Sequence, residues 1–390
     1  MLKLIKNGIL YSPEYKGKCD ILVCDDKISY IQEEIIIENL NVEVKVINAE
    51  DKLIFPGFID SHVHILGGGG EGSFKTRTPE LTLTTATTAG VTTIVGCLGT
   101  DSVTRDMKSL IAKAKGLKEE GLSCYLYTGS YEVPLKTLMS IREDIMLIDE
   151  IIGVGEVAIS DHRSSAPTVT EVSKIAADAR VAGMLSGKAG IVNVHIGDGK
   201  EQLKILNEVC ETTEIPITQF IPTHINRNKH LFEEGIRYAK KGGLVDLTTS
   251  TTNQFLEQGE MKCSKGLKIM LDNGVKEENI TFTSDGQGSL PAFDSSGKFS
   301  KLQIGTSESL YKEVIDAIKI ENIPIEVALK VITSNPADNL KLENKGRIEF
   351  GRDADIVIVN KETLEVETVL AMGKVMVRNK EAIIKGTFEK

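Results

Sequence analysis

From Ile54 to about residue 335 the chain alternates short β-branched runs with longer helix-like stretches, and it does so eight times. A strand lying parallel to its predecessor needs a crossover between them, and a helix is the usual one. The strand candidates are residues 54–59, 91–96, 123–128, 151–158, 191–196, 219–223, 244–248 and 280–284. Amphipathic segments such as 103–120, 203–212 and 229–241 lie between them. Eight such units predict an α/β fold of the (β/α)8 type, a TIM barrel, which typically takes about 250 residues. An open doubly wound sheet is the alternative, and it would carry a glycine-rich turn opening its first helix. The four glycines at 67–70 follow two histidines and lack the G-x-G-x-x-G spacing.

The two ends read differently. Residues 1–52 and 341–390 show short strands between polar turns, at 2–5, 20–24, 27–32 and 42–47, then at 354–359, 366–372, 374–378 and 381–384. Neither end is long enough to bury a good core alone. They are expected to pair into one small β-sandwich domain beside a barrel of residues 53–340.

A hydrophobic content of 41% fits an ordinary globular protein. The net charge of -10 disfavours nucleic acid and anionic membranes as partners. No run reaches the roughly 18 uncharged apolar residues of a membrane span. Lys3, Lys6 and Asn7 interrupt any signal core, so a cytoplasmic location is expected. The six cysteines are scattered without a Cys-x-x-Cys, and are most simply reduced and buried.

His62 and His64 stand at the end of the first strand candidate. Alternate residues of a strand share a face, so both imidazoles aim at one point, an arrangement suited to a divalent metal. Alone the pair is a weak signal. Glu156 lies near the end of the fourth candidate, His195 at the end of the fifth, His224 after the sixth and Asp285 after the eighth. Barrel enzymes place their sites at this C-terminal face. For one histidine a core or surface role is the default; for four of six histidines with two carboxylates at one end, coincidence is a poor account. His162 and His230 lack this placement and are set aside.

This pattern resembles the amidohydrolase superfamily, and within it most closely the isoaspartyl dipeptidase family. The resemblance spans essentially the whole chain. Its specific segments are 67–72 with Glu71, Gly99-Thr100-Asp101-Ser102, residues 129–134 with Tyr131, residues 159–164 with Arg163, residues 222–228 with Arg227, and residues 284–289 with Ser289. It implies a zinc dipeptidase that hydrolyses β-aspartyl dipeptides with a metal-activated water, and a homo-oligomer, often an octamer. It assigns His62, His64 and Asp285 to one zinc and His195 and His224 to the other. Asp285 acts as general base and then acid, and Tyr131 as oxyanion donor. Glu71 pairs with the substrate ammonium, supported by Thr100. Arg163 and Arg227 bind its carboxylates, and Ser289 is a polar contact.

The chain departs from that family at one ligand. A carboxylated lysine usually bridges the two metals after strand 4; here the residue is Glu156, and the nearest downstream lysine is Lys174. A glutamate offers the same bidentate negative head on a shorter stem, so two Zn2+ bridged by Glu156 are expected. Nitrogen ligands with few oxygens favour zinc over magnesium or calcium. The rivals are a hydantoinase- or dihydroorotase-like enzyme acting on cyclic amides, against which Glu71 argues, and a non-catalytic scaffold, against which the full ligand set argues.

Overall fold

A computed structural model of the chain describes residues 1–37, 42–293 and 299–390. Five strands come first: Leu2–Tyr11 (β1), Tyr15–Cys24 (β2), Lys27–Gln32 (β3), Val44–Asn48 (β4) and Lys52–Pro56 (β5). The barrel strands follow: Phe58–Val63 (β6), Val91–Gly96 (β7), Ser123–Thr128 (β8), Ile151–Ile159 (β9), Ile191–Ile196 (β10), Phe220–Thr223 (β11), Val245–Thr248 (β12) and Ile280–Thr283 (β13). A hairpin of Ser289–Phe293 (β14) and Phe299–Ile304 (β15) comes next. Ile356–Asn360 (β16), Val366–Ala371 (β17), Lys374–Arg378 (β18) and Glu381–Ala382 (β19) end the chain.

Strands β6 to β11 form one parallel sheet in sequence order, and β12 pairs in parallel with β13. Backbone bonds cross the remaining seams. The Ile225 N–H donates to the Asp246 carbonyl at 3.2 Å, and the His64 N–H to the Gly286 carbonyl at 2.9 Å. The eightfold rhythm of the sequence is therefore a closed barrel. Most of these strands are buried along their whole length, which is why they read as continuous apolar runs rather than alternating ones.

Two boundaries differ from the sequence reading. The first strand candidate, 54–59, is two strands: β5 belongs to the small sheet and β6 to the barrel. Gly57 separates them, where a Cβ would lie 2.1 Å from Thr92 Oγ1. The helix expected over 103–120 is Met107–Glu120. Asp106 caps it by accepting the Ser109 N–H at 2.8 Å. Ahead of it the Asp101 carboxylate accepts the N–H groups of Val103 and Thr104, holding them in a turn.

Both chain ends build the small domain, joined where β5 pairs antiparallel with β16. Its nine strands form one hydrogen-bonded sheet. The expected sandwich is this single sheet folded over, with Ile5, Ile21, Ile28, Ile54, Ile356, Leu370 and Val375 in a common core. Lys345 is buried between Asp353 and Asp355, at 2.8 and 2.7 Å, and also donates to Ser123 Oγ on β8 at 2.6 Å. One ammonium thus ties the folded sheet to the barrel.

Candidate active site

Six side chains from five strand ends meet at the C-terminal mouth. Glu156, on β9 and fully buried, is the centre. Its Oε2 lies 3.3 Å from His62 Nε2, 3.2 Å from His195 Nδ1 and 3.7 Å from His224 Nε2. Its Oε1 lies 3.3 Å from His64 Nε2. Asp285 Oδ1 is 3.2 Å from His64 Nε2 and 3.8 Å from His62 Nε2. His224 and Asp285 both take left-handed backbone, with φ of 63° and 51°. Such conformations cost energy and cluster at functional sites. All six residues predicted as ligands are brought together, and His162 and His230 are both exposed outside the cluster.

Three of the imidazoles have their other nitrogen engaged. His62 Nδ1 sits 3.0 Å from Asn193 Oδ1, His224 Nδ1 2.6 Å from Thr248 Oγ1, and His195 Nε2 2.9 Å from Asp161 Oδ2. Such partners orient the rings so that the nitrogen facing Glu156 offers a lone pair once deprotonated. The residues fit a pair of divalent cations on a further count. Glu156 Oε1 and Asp285 Oδ1 are buried, yet neither accepts a hydrogen bond among the described residues. Buried carboxylate oxygens without donors are costly, and a cation would satisfy both. Two groups of donor atoms, each within 4.8 Å of one another, share only Glu156: one with His62, His64 and Cys97, the other with His195 and His224.

Electrostatics follow from this crowding. Burial works to lower the pKa values of His62 and His64, but Cys97 with Glu156 and Asp285 outweighs it and raises both well above the ordinary range. Burial, with His195 and Arg227, pushes His224 down to about 3. Burial opposes ionisation of Asp285, yet the histidines hold it below the usual carboxylate range. Burial, reinforced by Glu156, raises the Tyr131 phenol well above its ordinary value. That phenol stands 2.8 Å from His195 Nδ1.

The substrate-binding candidates line the same cavity, of about 760 Å³. Arg163 is held by Asp161 through two bonds of 2.9 and 2.8 Å, and reaches Glu71 Oε1 at 3.2 Å. Thr100 Oγ1 donates to the same Glu71 oxygen at 3.1 Å. The Arg227 side chain makes no ion pair or hydrogen bond among the described residues, and Ser289 packs beside Gly69. The glycine-rich loop is compatible, on sequence alone, with a mobile lid. Instead Arg105, 4% exposed, donates to the carbonyls of Leu66, Gly68, Gly69 and Thr78. Gly67 has φ of 78°, and a Cβ there would meet the Thr78 carbonyl at 2.2 Å. The loop is clamped.

Sequence reasoning missed Cys97, Asp161, Arg105 and Glu260. Cys97 follows β7, so the strand-end rule that found the histidines could have found it. Asp161 sits two residues before Arg163. Glu260 lines the mouth, where burial pushes its pKa up to about 7.

The barrel and its mouth define an amide hydrolase, and residues 53–387 match the model of the amidohydrolase family. The chain belongs to that family. Within it, the chain is 45% identical to the β-aspartyl dipeptidase of Fervidobacterium islandicum AW-1, solved in complex with β-Asp-Leu. The match has a TM-score of 0.92 and covers 98% of this chain and 97% of that one. A dihydroorotase of Acetivibrio thermocellus is 26% identical over 98% of this chain and 94% of its own. A D-hydantoinase structure at 20% identity shares the fold, with a TM-score of 0.71 over 100% of this chain and 98% of that one.

Proposed function

We propose that the protein is a zinc dipeptidase cleaving β-aspartyl dipeptides. The observation that carries this is the opposed pair at the mouth, Glu71 against Arg163 at 3.2 Å, with Arg227, unpaired among the described residues, in the same cavity. A β-aspartyl dipeptide brings one ammonium and two carboxylates, which Glu71, Arg163 and Arg227 would take. The cyclic substrates of hydantoinases and dihydroorotases bring no ammonium for Glu71. The similarity to a dipeptidase at 45% identity supports the same choice over the relative at 26%.

Two zinc ions held by His62, His64, Glu156, His195, His224 and Asp285 would supply an activated water and polarise the scissile carbonyl. Glu71, supported by Thr100, fixes the substrate ammonium, and Arg163 and Arg227 fix the carboxylates. Tyr131 keeps its proton and donates to the carbonyl oxygen as charge develops there. Asp285 takes a proton from the attacking water and returns it to the departing amine nitrogen. Ser289 adds a polar contact at the loop.

The proposal includes a cytoplasmic homo-oligomer, octameric by family resemblance, with neither nucleic acid nor membrane as partner. Among the described residues all six cysteines are free and no helix is long and apolar enough to cross a membrane. Light scattering of the purified protein measures the assembly.

The deciding assay sets β-Asp-Leu beside dihydroorotate and hydantoin, with metal content measured on the same sample. Hydrolysis of β-Asp-Leu, weakened in Glu71→Gln mainly through KM, is the expected result. Turnover of a cyclic amide with none of β-Asp-Leu would overturn the reading.

A further inference from the structure

Cys97 leaves the end of β7, beside the strand that carries His62 and His64. Its side chain is 1% exposed. The sulfur lies 3.7 Å from His62 Nε2, 3.9 Å from His64 Nδ1 and 3.7 Å from the Val63 carbonyl. His62 Nε2 is also the nitrogen that faces Glu156, at 3.3 Å. Sulfur and carboxylate therefore approach one imidazole nitrogen together.

The distances decide what this means. Zinc bonds of about 2.3 Å to sulfur and about 2.0–2.1 Å to nitrogen or oxygen, at tetrahedral angles, separate S from N by about 3.6 Å and N from O by about 3.4 Å. The observed 3.7 and 3.3 Å are those separations. The donor atoms of His62, His64, Cys97 and Glu156 all lie within 4.8 Å of one another.

We propose that Cys97 is a fourth protein ligand of the metal held by His62, His64 and Glu156. The inference rests on the metal centre of the reading above and not on its substrate. It gives the two halves different characters. His62, His64, Cys97 and Glu156 close a four-coordinate set before Asp285 is counted. Glu156, His195 and His224 form a three-ligand set with a position left for water or substrate. Closed sets are the structural pattern and open ones the catalytic pattern. A sulfur ligand also adds negative charge against two dications and selects zinc over hard cations. Asp285 is then released from obligatory ligation for its work on protons.

The test needs no substrate. Wild-type protein loaded with cobalt(II) should show a near-ultraviolet sulfur-to-cobalt charge-transfer band, lost in Cys97→Ser and Cys97→Ala. Zinc X-ray absorption on unaltered wild type should show a sulfur shell at about 2.3 Å. After chelator dialysis, Cys97→Ser should retain one metal fewer than wild type. A nitrogen and oxygen shell alone in the wild type, or a cobalt band that survives Cys97→Ala, would overturn the assignment. The X-ray measurement decides the matter even if the variants do not fold. A protein that hydrolyses no β-Asp-Leu yet shows the sulfur shell would refute the dipeptidase reading and leave this one standing.

Discussion

Tyr131 owes its chemistry to its surroundings. Burial and the nearby Glu156 carboxylate raise its pKa well above the ordinary phenol value, which favours the protonated, donating form. Tyr131→Phe removes the donor without removing a ligand. It should lower kcat by about 10²- to 10³-fold with little change in KM, measured by steady-state kinetics on β-Asp-Leu. Glu156 tests the bridge. Glu156→Ala should weaken zinc binding beyond the roughly 100-fold that outer partners contribute, read by competition with a chelator. A variant retaining both ions at full activity would remove Glu156 from the centre. Because His62 and His64 sit well above the ordinary imidazole range before metal enters, loading must expel their protons. Calorimetry in buffers of different ionisation heat should register proton release, and affinity should fall as the pH falls. The four metal-facing histidines were legible because residue type and strand-end position coincide. Cys97 shares that strand-end position, but nothing about a lone cysteine in a sequence says which imidazole it touches.

At the level of elements, the turn after β9 links the two halves of the site. Asp161 binds His195 on one side and Arg163 on the other. Asp161→Asn keeps the shape but weakens both bonds, and should reduce zinc affinity by about 10- to 100-fold while also raising KM. A variant that changed KM alone would show that Asp161 serves only the arginine. Below the site, Asp246 on β12 accepts from Thr223, Thr281 and Thr283. Burial, against those bonds, pushes it up to about 6. Its unfolded value is about 3.9, so the folded protein binds more protons between the two. The stability this group contributes is full below about pH 4 and is lost as the pH rises through about 6. Urea midpoints across that window should decline in wild type more than in Asp246→Asn. The strand rhythm gave away the barrel, since an eightfold period survives errors at any one boundary. The split of 54–59 into β5 and β6 was hidden, because both halves are apolar and only the packing of Gly57 against Thr92 divides them.

Over the whole molecule, a buried cation reinforces the apolar core that Val357, Val359, Val369 and Met376 of the folded sheet share with the barrel. Lys345 is ion-paired with Asp353 and Asp355, and the pair of aspartates raises its pKa although burial lowers it. Lys345→Met leaves Asp353 with only Lys27 and Asp355 with only the Met372 N–H as partners, and should cost about 3–5 kcal/mol, measured by denaturant unfolding. The metal cluster lies on other strands, so folded variant should still bind zinc. That residues 341–390 join the small domain was visible in the sequence. That the sheet folds over as one piece was not, because strand order depends on pairings between residues 1–56 and 356–382 that no local pattern encodes.

The Arg105 clamp has a final consequence. Arg105 fixes the stem of the loop, and Thr100 and Arg163 hold the Glu71 carboxylate at its tip; on the proposed reading, the distance from Glu71 to the imidazole cluster then acts as a gauge of molecular length. In an α-linked aspartyl peptide the scissile carbonyl sits one carbon nearer the ammonium than in its β-linked isomer. A yielding loop would absorb that difference; on the proposed reading a fixed one would turn a single methylene into discrimination between isomers.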